Sequence, residues 1–464
     1  MTDATHGTAV PTAAAAASKF YFIAWRWHFY AGLYVIPFLA MLAVTGLVML
    51  WISALAGVTG DKIPVVPGSA PLAVSALQTA AEAVVPGGTA ATYLAPLSPD
   101  SAAVFAIASD AGKTGVSLNP YTGEVLHSFP WRAGWYDTVN KIHGTLMLGT
   151  TGDRLIEIAA SLAMVLVVSG LYLHWPRGGQ GSLLLPNLAA RGRALWKSLH
   201  GVIGFWMSLV MVAFLISGLS WSGIWGERMV QAWNTFPAEK FGAPLSDQTH
   251  ATMNHNGSKE VPWALEQTPL PESGSLTGIT AIEGPVTLDA VAAFAERLAL
   301  PGRFQIALPQ RASGVWTISH DSMSNDGNDP AADRTIHIDQ YTGNILADVR
   351  YEDYSPYAKA MAWGVAFHEG DMGWWNVALN TVFCLSILFL TISGLVMWWK
   401  RRPAGAPRLA APPRPRDAGL WKGAALLMIV LGALFPLGGL AMVAVLLLDA
   451  TLLRLLPGLK RVLS

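Results

Sequence analysis

Five apolar runs, at about 29–56, 155–175, 202–225, 376–399 and 421–453, decide what this chain can fold into. A run of ~20 apolar residues rising ~1.5 Å each crosses a ~30 Å hydrocarbon core, where a helix satisfies every backbone polar group within its own segment. From Ile158 to Leu173 every residue is apolar or small. Charged residues make up 13% of the chain, about half the usual soluble share, which fits an integral membrane protein in contact with lipid. The formal net charge is zero, so nothing points to nucleic acid as a partner. The one cysteine, Cys384, excludes an intrachain disulfide, Cys-rich metal ligation and C-x-x-C-H attachment of haem.

Residues 1–18 are of low complexity and are expected to be disordered. The first span, 19–56, reads as an uncleaved anchor rather than a signal peptide, because no small-residue cleavage site follows it. Further spans are expected at 141–175, 199–225 and 363–399. Arg177, Arg191, Arg193 and Lys197 crowd the loop 176–198, and Lys400, Arg401, Arg402, Arg408, Arg414 and Arg416 crowd the Pro/Arg-rich loop 400–418. Basic loops stay in the cytoplasm. The two large polar segments, 61–130 and 226–355, then face outward, into the periplasm of a bacterium. The last run, 420–455, is broken by FPLGG at 435–439 and closed by Arg454, Lys460 and Arg461, which favours a membrane hairpin over one long tilted helix.

Each polar segment has a helical stretch, PLAVSALQTAAEAVV or VTLDAVAAFAERLAL, followed by short alternating runs, which predicts a helix and an antiparallel sheet. Each also places Tyr-Thr-Gly at its last hairpin turn, Tyr121-Thr122-Gly123 and Tyr341-Thr342-Gly343. The likeness extends into the membrane runs. His28 and His200 are each followed four residues later by glycine (Gly32, Gly204) and eighteen later by another (Gly46, Gly218). The first four runs all carry Thr/Ser-Gly-Leu, beginning at Thr45, Ser169, Ser217 and Ser393. The chain therefore reads as two copies of helix, outer module, helix, related by a pseudo-two-fold axis along the membrane normal.

Such an axis pairs His28 with His200 toward the cytoplasmic face, and His143 with His368 toward the outer one. Two histidine pairs in a four-helix bundle are a means of holding two b-type haems by bis-imidazole ligation, with Gly32, Gly204, Gly144 and Gly370 leaving room for the macrocycle. A lone histidine at a helix end is more often interfacial or capping; four at repeat-related positions favour ligation. A bare transition metal would recruit carboxylates as well, for which Glu369, Asp371, Asp153 and Glu157 are available. His174 lies 31 residues beyond His143, ~46 Å if all is helical, so a break is expected at Gly149-Thr150-Thr151-Gly152. His127, His250, His255, His320 and His337 fall in the outer segments, with His250 and His255 expected to be solvated in a loop.

The pattern His-Gly…Ser-Gly-Leu-Tyr-Leu-x-Trp-Pro-Arg, preceded by Asn119-Pro120-Tyr121-Thr122-Gly123-Glu124 and repeated up to Trp398-Trp399-Lys400-Arg401, resembles the PepSY-associated transmembrane family. The likeness runs from Phe20 to about Arg402. It implies an integral membrane, mainly α fold: a duplicated four-helix haem-binding bundle, two small periplasmic α+β PepSY-like modules and a C-terminal hydrophobic hairpin. Family members of this architecture include di-haem inner-membrane reductases acting on ferric siderophores, which would make this chain an oxidoreductase releasing Fe(II) from a periplasmic Fe(III) chelate. His143 and His368 would then ligate the outer haem, and His28 and His200 the inner one. His174, matched to Trp398 in the other copy, would be an alternative inner ligand or a neighbour of a haem propionate. Arg26 and Lys197 could neutralise propionates or be plain positive-inside flanks. Trp131, Arg132, Trp135 and Trp363 could shape a chelator site or belong to an aromatic belt. No Gly-rich phosphate loop is present, so electrons would come from quinol or a separate reductase. The competing readings are a membrane-anchored PepSY regulator that binds peptidases without redox activity, and a transporter, for which no coupling charge lies deep in the spans.

Overall fold

The computed structural model describes residues 13–177, 182–234, 241–254, 259–402, 409–413, 422–451 and 455–456. In chain order these form α1 (Ala13–Ala56), α2 (Val74–Val84), β1 (Thr89–Leu94), β2 (Ala103–Ser109), β3 (Gly112–Leu118), β4 (Val125–Pro130), α3 (Trp135–Thr145), α4 (Thr150–His174) and α5 (Gly192–Leu219). Then follow β5 (Leu245–Thr249), β6 (Pro269–Pro271), β7 (Ile279–Thr280), α6 (Leu288–Arg297), β8 (Gln305–Ala307), β9 (Val315–His320), β10 (Arg334–Asp339) and β11 (Asn344–Arg350). The last elements are α7 (Pro356–Glu369), α8 (Trp374–Trp399), α9 (Lys422–Leu434) and α10 (Pro436–Ala450). They divide into two compact units: Met1–Ala43, Thr150–Trp225 and Phe383–Ser464 form one, Val44–Gly149 and Gly226–Val382 the other.

Among the described residues, four helices are long and apolar enough to cross a membrane: Phe20–Ala56, Thr150–His174, Gly192–Leu219 and Trp374–Trp399. Helix α1 starts at Ala13, inside the stretch expected to be disordered; five successive alanines, the strongest helix formers, account for the extension. Residues 1–12 of that stretch lie outside the described residues, as do Arg408, Arg414, Arg416, Arg454, Lys460, Arg461 and His255. The span expected over 141–175 is two helices, because Leu146, Met147 and Gly149 all take positive φ and end α3 before α4 begins. The fourth span is divided likewise: Gly370, at φ 91°, caps α7, and Gly373, at φ 92°, precedes α8. Gly370 is thus a helix stop in the left-handed conformation that favours glycine. Helices α9 and α10 fold back on each other at Phe435, and a Cβ at Gly439 would lie 2.7 Å from the Gly432 Cα, so only glycine permits that approach.

The other unit holds the main departure from the sequence reading. The two modules expected as separate bodies are fused into one nine-stranded antiparallel sheet, ordered β4-β3-β2-β1-β8-β9-β10-β11-β7. The first eight positions are a palindrome of the two copies. The seam is β1 against β8, with Tyr93 opposite Ile306. One hydrophobic core serves both copies: Phe105, Ile107 and Leu118 from the first join Ile306, Ile318 and Ile336 from the second, under Leu77 and Ala81 of α2 and Val291 and Ala295 of α6. Each of these Leu, Ile, Val and Phe side chains, fully buried, contributes ~1.5–3 kcal/mol. Asp289 of α6 accepts from the Ser75 backbone N–H (2.9 Å) and from its hydroxyl (2.5 Å), so one copy's helix caps the other's first turn. The repeated Tyr-Thr-Gly is structural as well. Asn119 and Asp339 accept from the Tyr121 and Tyr341 N–H, both tyrosine hydroxyls donate to a backbone carbonyl (Pro99, Ala312), and both glycines take positive φ.

Candidate functional site

Within the helical unit, His28 of α1 and His200 of α5 face each other with ring centroids 6.3 Å apart and planes at 82°. Within the sheet-bearing unit, His143 of α3 and His368 of α7 do the same, at 6.4 Å and 85°. Two imidazoles on opposite sides of one metal, each with a bond of ~2.0–2.1 Å and a ring centre about 1.1 Å behind its nitrogen, would have centroids ~6.3 Å apart. Both pairs match that separation. Each pairing is the one the duplication predicts.

Three of the four Thr/Ser-Gly-Leu copies lie directly behind these rings. The Ser169 hydroxyl is 3.0 Å from His28 Nδ1, the Ser393 hydroxyl 2.8 Å from His200 Nδ1, and the Thr45 hydroxyl 2.8 Å from His143 Nδ1. The glycine after each hydroxyl gives the ring its place: a Cβ at Gly170 would lie 3.1 Å from His28 Cε1, at Gly46 3.5 Å from His143 Cε1, and at Gly394 3.9 Å from His200 Cε1. Helix α7, which carries His368, is pinned by two buried amides of α8. Asn380 donates to the Phe367 and His368 carbonyls (2.7 and 3.2 Å), and Asn376 to the Phe367 carbonyl (3.0 Å). In the sequence these two asparagines, four residues apart within an apolar run, were the available signal for that anchor. Gly32 and Gly204 would bring a Cβ only into ordinary contact with Leu166 and Leu390, at 3.9 and 3.7 Å, and Gly144 faces open space.

His174 belongs to neither opposed pair, although its ring lies against Gly201, the residue after His200. Its Nε2 lies 2.9 Å from the Leu183 carbonyl, which can only accept, so Nε2 carries the proton, and its ring packs where a side chain at Gly201 would be. Three of the four carboxylates weighed for a bare metal are engaged elsewhere. Asp153 pairs with Arg154, Glu157 accepts from the Ile224 and Trp225 backbone N–H groups (3.2 and 3.1 Å), and Asp371 accepts from Asn325. Among the described residues no three His, Cys, Asp or Glu side chains converge as a metal ion would require. Of the flanking candidates, Arg26 donates to the Pro412 carbonyl, Arg132 pairs with Glu260, Trp131 is buried, and Trp135 and Trp363 are exposed.

His250 is a correction. Expected in solvent, it is 1% exposed, with Nδ1 donating to the Thr268 carbonyl (2.8 Å) and Nε2 2.9 Å from His337 Nε2. Burial pushes its imidazole down to about 4, and that of His337 well below its ordinary value, so both are neutral at pH 7. The sheet core also encloses Arg303, between Asp61 (2.7 Å) and Asp326 (2.8 Å).

Four apolar helices among the described residues and a unit built on an antiparallel sheet, with histidines opposed in pairs, define a membrane protein. The family model for the PepSY-associated TM region matches residues 25–401, and the chain belongs to that family. No curated protein matches the chain.

Proposed function

We propose that this protein is a di-haem b reductase of the bacterial inner membrane. In this reading it carries electrons from quinol or a separate reductase to a ferric chelate, such as a siderophore, at the sheet-bearing periplasmic unit, and so releases Fe(II). The supporting observation is the geometry of the two histidine pairs, each opposed at the separation that bis-imidazole ligation needs. His28 and His200 would hold one haem, His143 and His368 the other. When bound, a bis-imidazole haem takes up and gives back single electrons without a change of ligand. The chain's own part is to fix the rings. Hydroxyls hold Nδ1, glycines keep the ring edges clear, and Asn376 and Asn380 hold the helix that presents His368. The exposed Trp135 and Trp363 offer flat apolar surface to an aromatic or bulky chelate.

The deciding experiment is the haem content of the purified protein. We expect about two haems per chain with low-spin b-type bands, and His143→Ala and His368→Ala should each remove the same haem and spare the other. A colourless preparation from cells with ample haem overturns the proposal. Reduction of a panel of ferric chelates in the presence of a ferrous trap then identifies the substrate.

A further inference from the structure

We propose that Ser169 and Ser393, and separately Thr45, are positioning residues that hold their histidines in the Nδ1–H tautomer and thereby lower the reduction potential of the haem each pair would ligate. The inference rests on the haem reading above. Its starting point is where the hydroxyl protons go. Ser169 Oγ donates to the Val165 carbonyl at 2.5 Å, and Ser393 Oγ to the Leu390 carbonyl at 3.1 Å. With a backbone carbonyl in reach of its proton, each serine oxygen is free to accept at the imidazole, and the inference is that His28 and His200 donate through Nδ1–H. A neutral imidazole has one N–H. Placing it on Nδ1 leaves the Nε2 lone pair for a metal, whereas the other tautomer would set a lone pair on Nδ1 against one on the serine and put a proton where the metal must bind. Ligating histidines commonly make such a bond with the remaining ring nitrogen, and it raises their basicity.

The chain order of the partners makes the arrangement specific. Ser169, in the second run, serves His28 of the first; Ser393, in the fourth, serves His200 of the third. Each hydroxyl is followed by the glycine on which the same ring rests. The three-residue repeat is therefore a receptor for an imidazole edge: an acceptor for Nδ1–H and a bare backbone beside Cε1. A more basic imidazole favours Fe(III) over Fe(II), so removing the acceptor should raise the potential. Loss of such a partner typically costs 10–100-fold in metal affinity. A tenfold change in the Fe(III)/Fe(II) preference corresponds to 59 mV for one electron.

The test is a redox titration of the full-length protein, followed by optical spectra, for the wild type, Ser169→Ala, Ser393→Ala, Thr45→Ala and Ser169→Thr. The haem lost in His143→Ala labels one component and the haem that survives labels the other. Ser169→Ala and Ser393→Ala should each raise the potential of the surviving component by about tenfold in preference, Thr45→Ala should raise only the other, and Ser169→Thr should restore the wild-type value. A helix-packing role for the serines would not sort by haem in this way. If Ser169→Ala binds too little haem to titrate, recovery of binding in Ser169→Thr supports the inference, and loss in both overturns it. Unchanged potentials with haem retained, or a shift in the wrong component, also overturn it while leaving the haem reading intact. A haem-free wild type overturns the haem reading itself, and the inference with it.

Discussion

The glycines behind the imidazoles form a graded series that the geometry turns into a quantitative test. An alanine Cβ at position 170 would sit 3.1 Å from His28 Cε1, against 3.5 Å for position 46 on His143 and 3.9 Å for position 394 on His200. Carbon atoms rest at ~3.5–4.0 Å, so Gly170→Ala requires the His28 ring to retreat by about 0.4–0.9 Å, while the other two require little or nothing. Metal–ligand distances tolerate only ~±0.2 Å. On the haem reading, we therefore expect Gly170→Ala to weaken binding of the haem that His28 and His200 would hold by at least about tenfold, ~1.4 kcal/mol. Gly46→Ala and Gly394→Ala should hold both haems. Alanine also favours the helix over glycine by ~1 kcal/mol, so a loss of haem in Gly170→Ala should come without a fall in the unfolding temperature of the haem-free protein. The assay is a haem titration at fixed protein concentration, with the haem-to-chain ratio as readout. Wild-type affinity in Gly170→Ala, or equal losses in all three variants, would refute the argument.

Three further outcomes follow from the same structure. His174→Ala should keep both haems, because Nε2–H is committed to the Leu183 carbonyl; loss of either haem by difference spectroscopy would return His174 to the ligand set. Arg303→Met leaves Asp61 and Asp326 buried without their cation, and should cost about 3–5 kcal/mol in the denaturant unfolding of the sheet-bearing unit, a loss below ~1 kcal/mol counting against it. Burial pushes the Asp333 carboxyl up to about 7, a shift its hydrogen bonds from Ser322 oppose and Asp326 and Asp329 reinforce. With the folded pKa raised, the stability from this group is full below about pH 4 and is lost as the pH climbs through 7, on the order of 4 kcal/mol at most. Asp333→Asn should flatten that part of the pH–stability profile, and an unchanged slope between pH 5 and 8 would contradict it.

The sequence makes the pairs legible because a duplication copies spacing: the interval from His28 to Gly46 recurs from His200 to Gly218, and symmetry supplies the partners without any knowledge of packing. What the hydroxyls do is less accessible. Thr/Ser-Gly-Leu marks the repeat, yet Ser169 serves a histidine 141 residues earlier and Ser393 one 193 residues earlier, contacts that depend on which helices lie side by side. Burial of His250 is hidden for a related reason. It sits in a one-turn helix after a five-residue strand, too short for either periodicity to show, and its partner His337 comes from β10. The helix breaks were partly visible: Gly149 announces the first, whereas Leu146 and Met147 in the left-handed region do not, and the break at Gly370 falls unannounced in a span expected to be continuous. The fusion of the modules left no local trace, since β1 and β8 carry no feature that distinguishes an edge from a seam.

That seam governs the order in which the sheet can be built. Strands β1 to β4 are joined by short connections and can pair as soon as they are made, but β1 waits about 200 residues for β8, with helices α4 and α5 synthesised in between. Throughout that interval the first half presents an open edge strand of largely apolar and uncharged sequence, the kind of surface that templates wrong pairings. Folding of the sheet is thus tied to the membrane insertion of α4 and α5. A delay there would leave a half-sheet exposed rather than a smaller, finished domain.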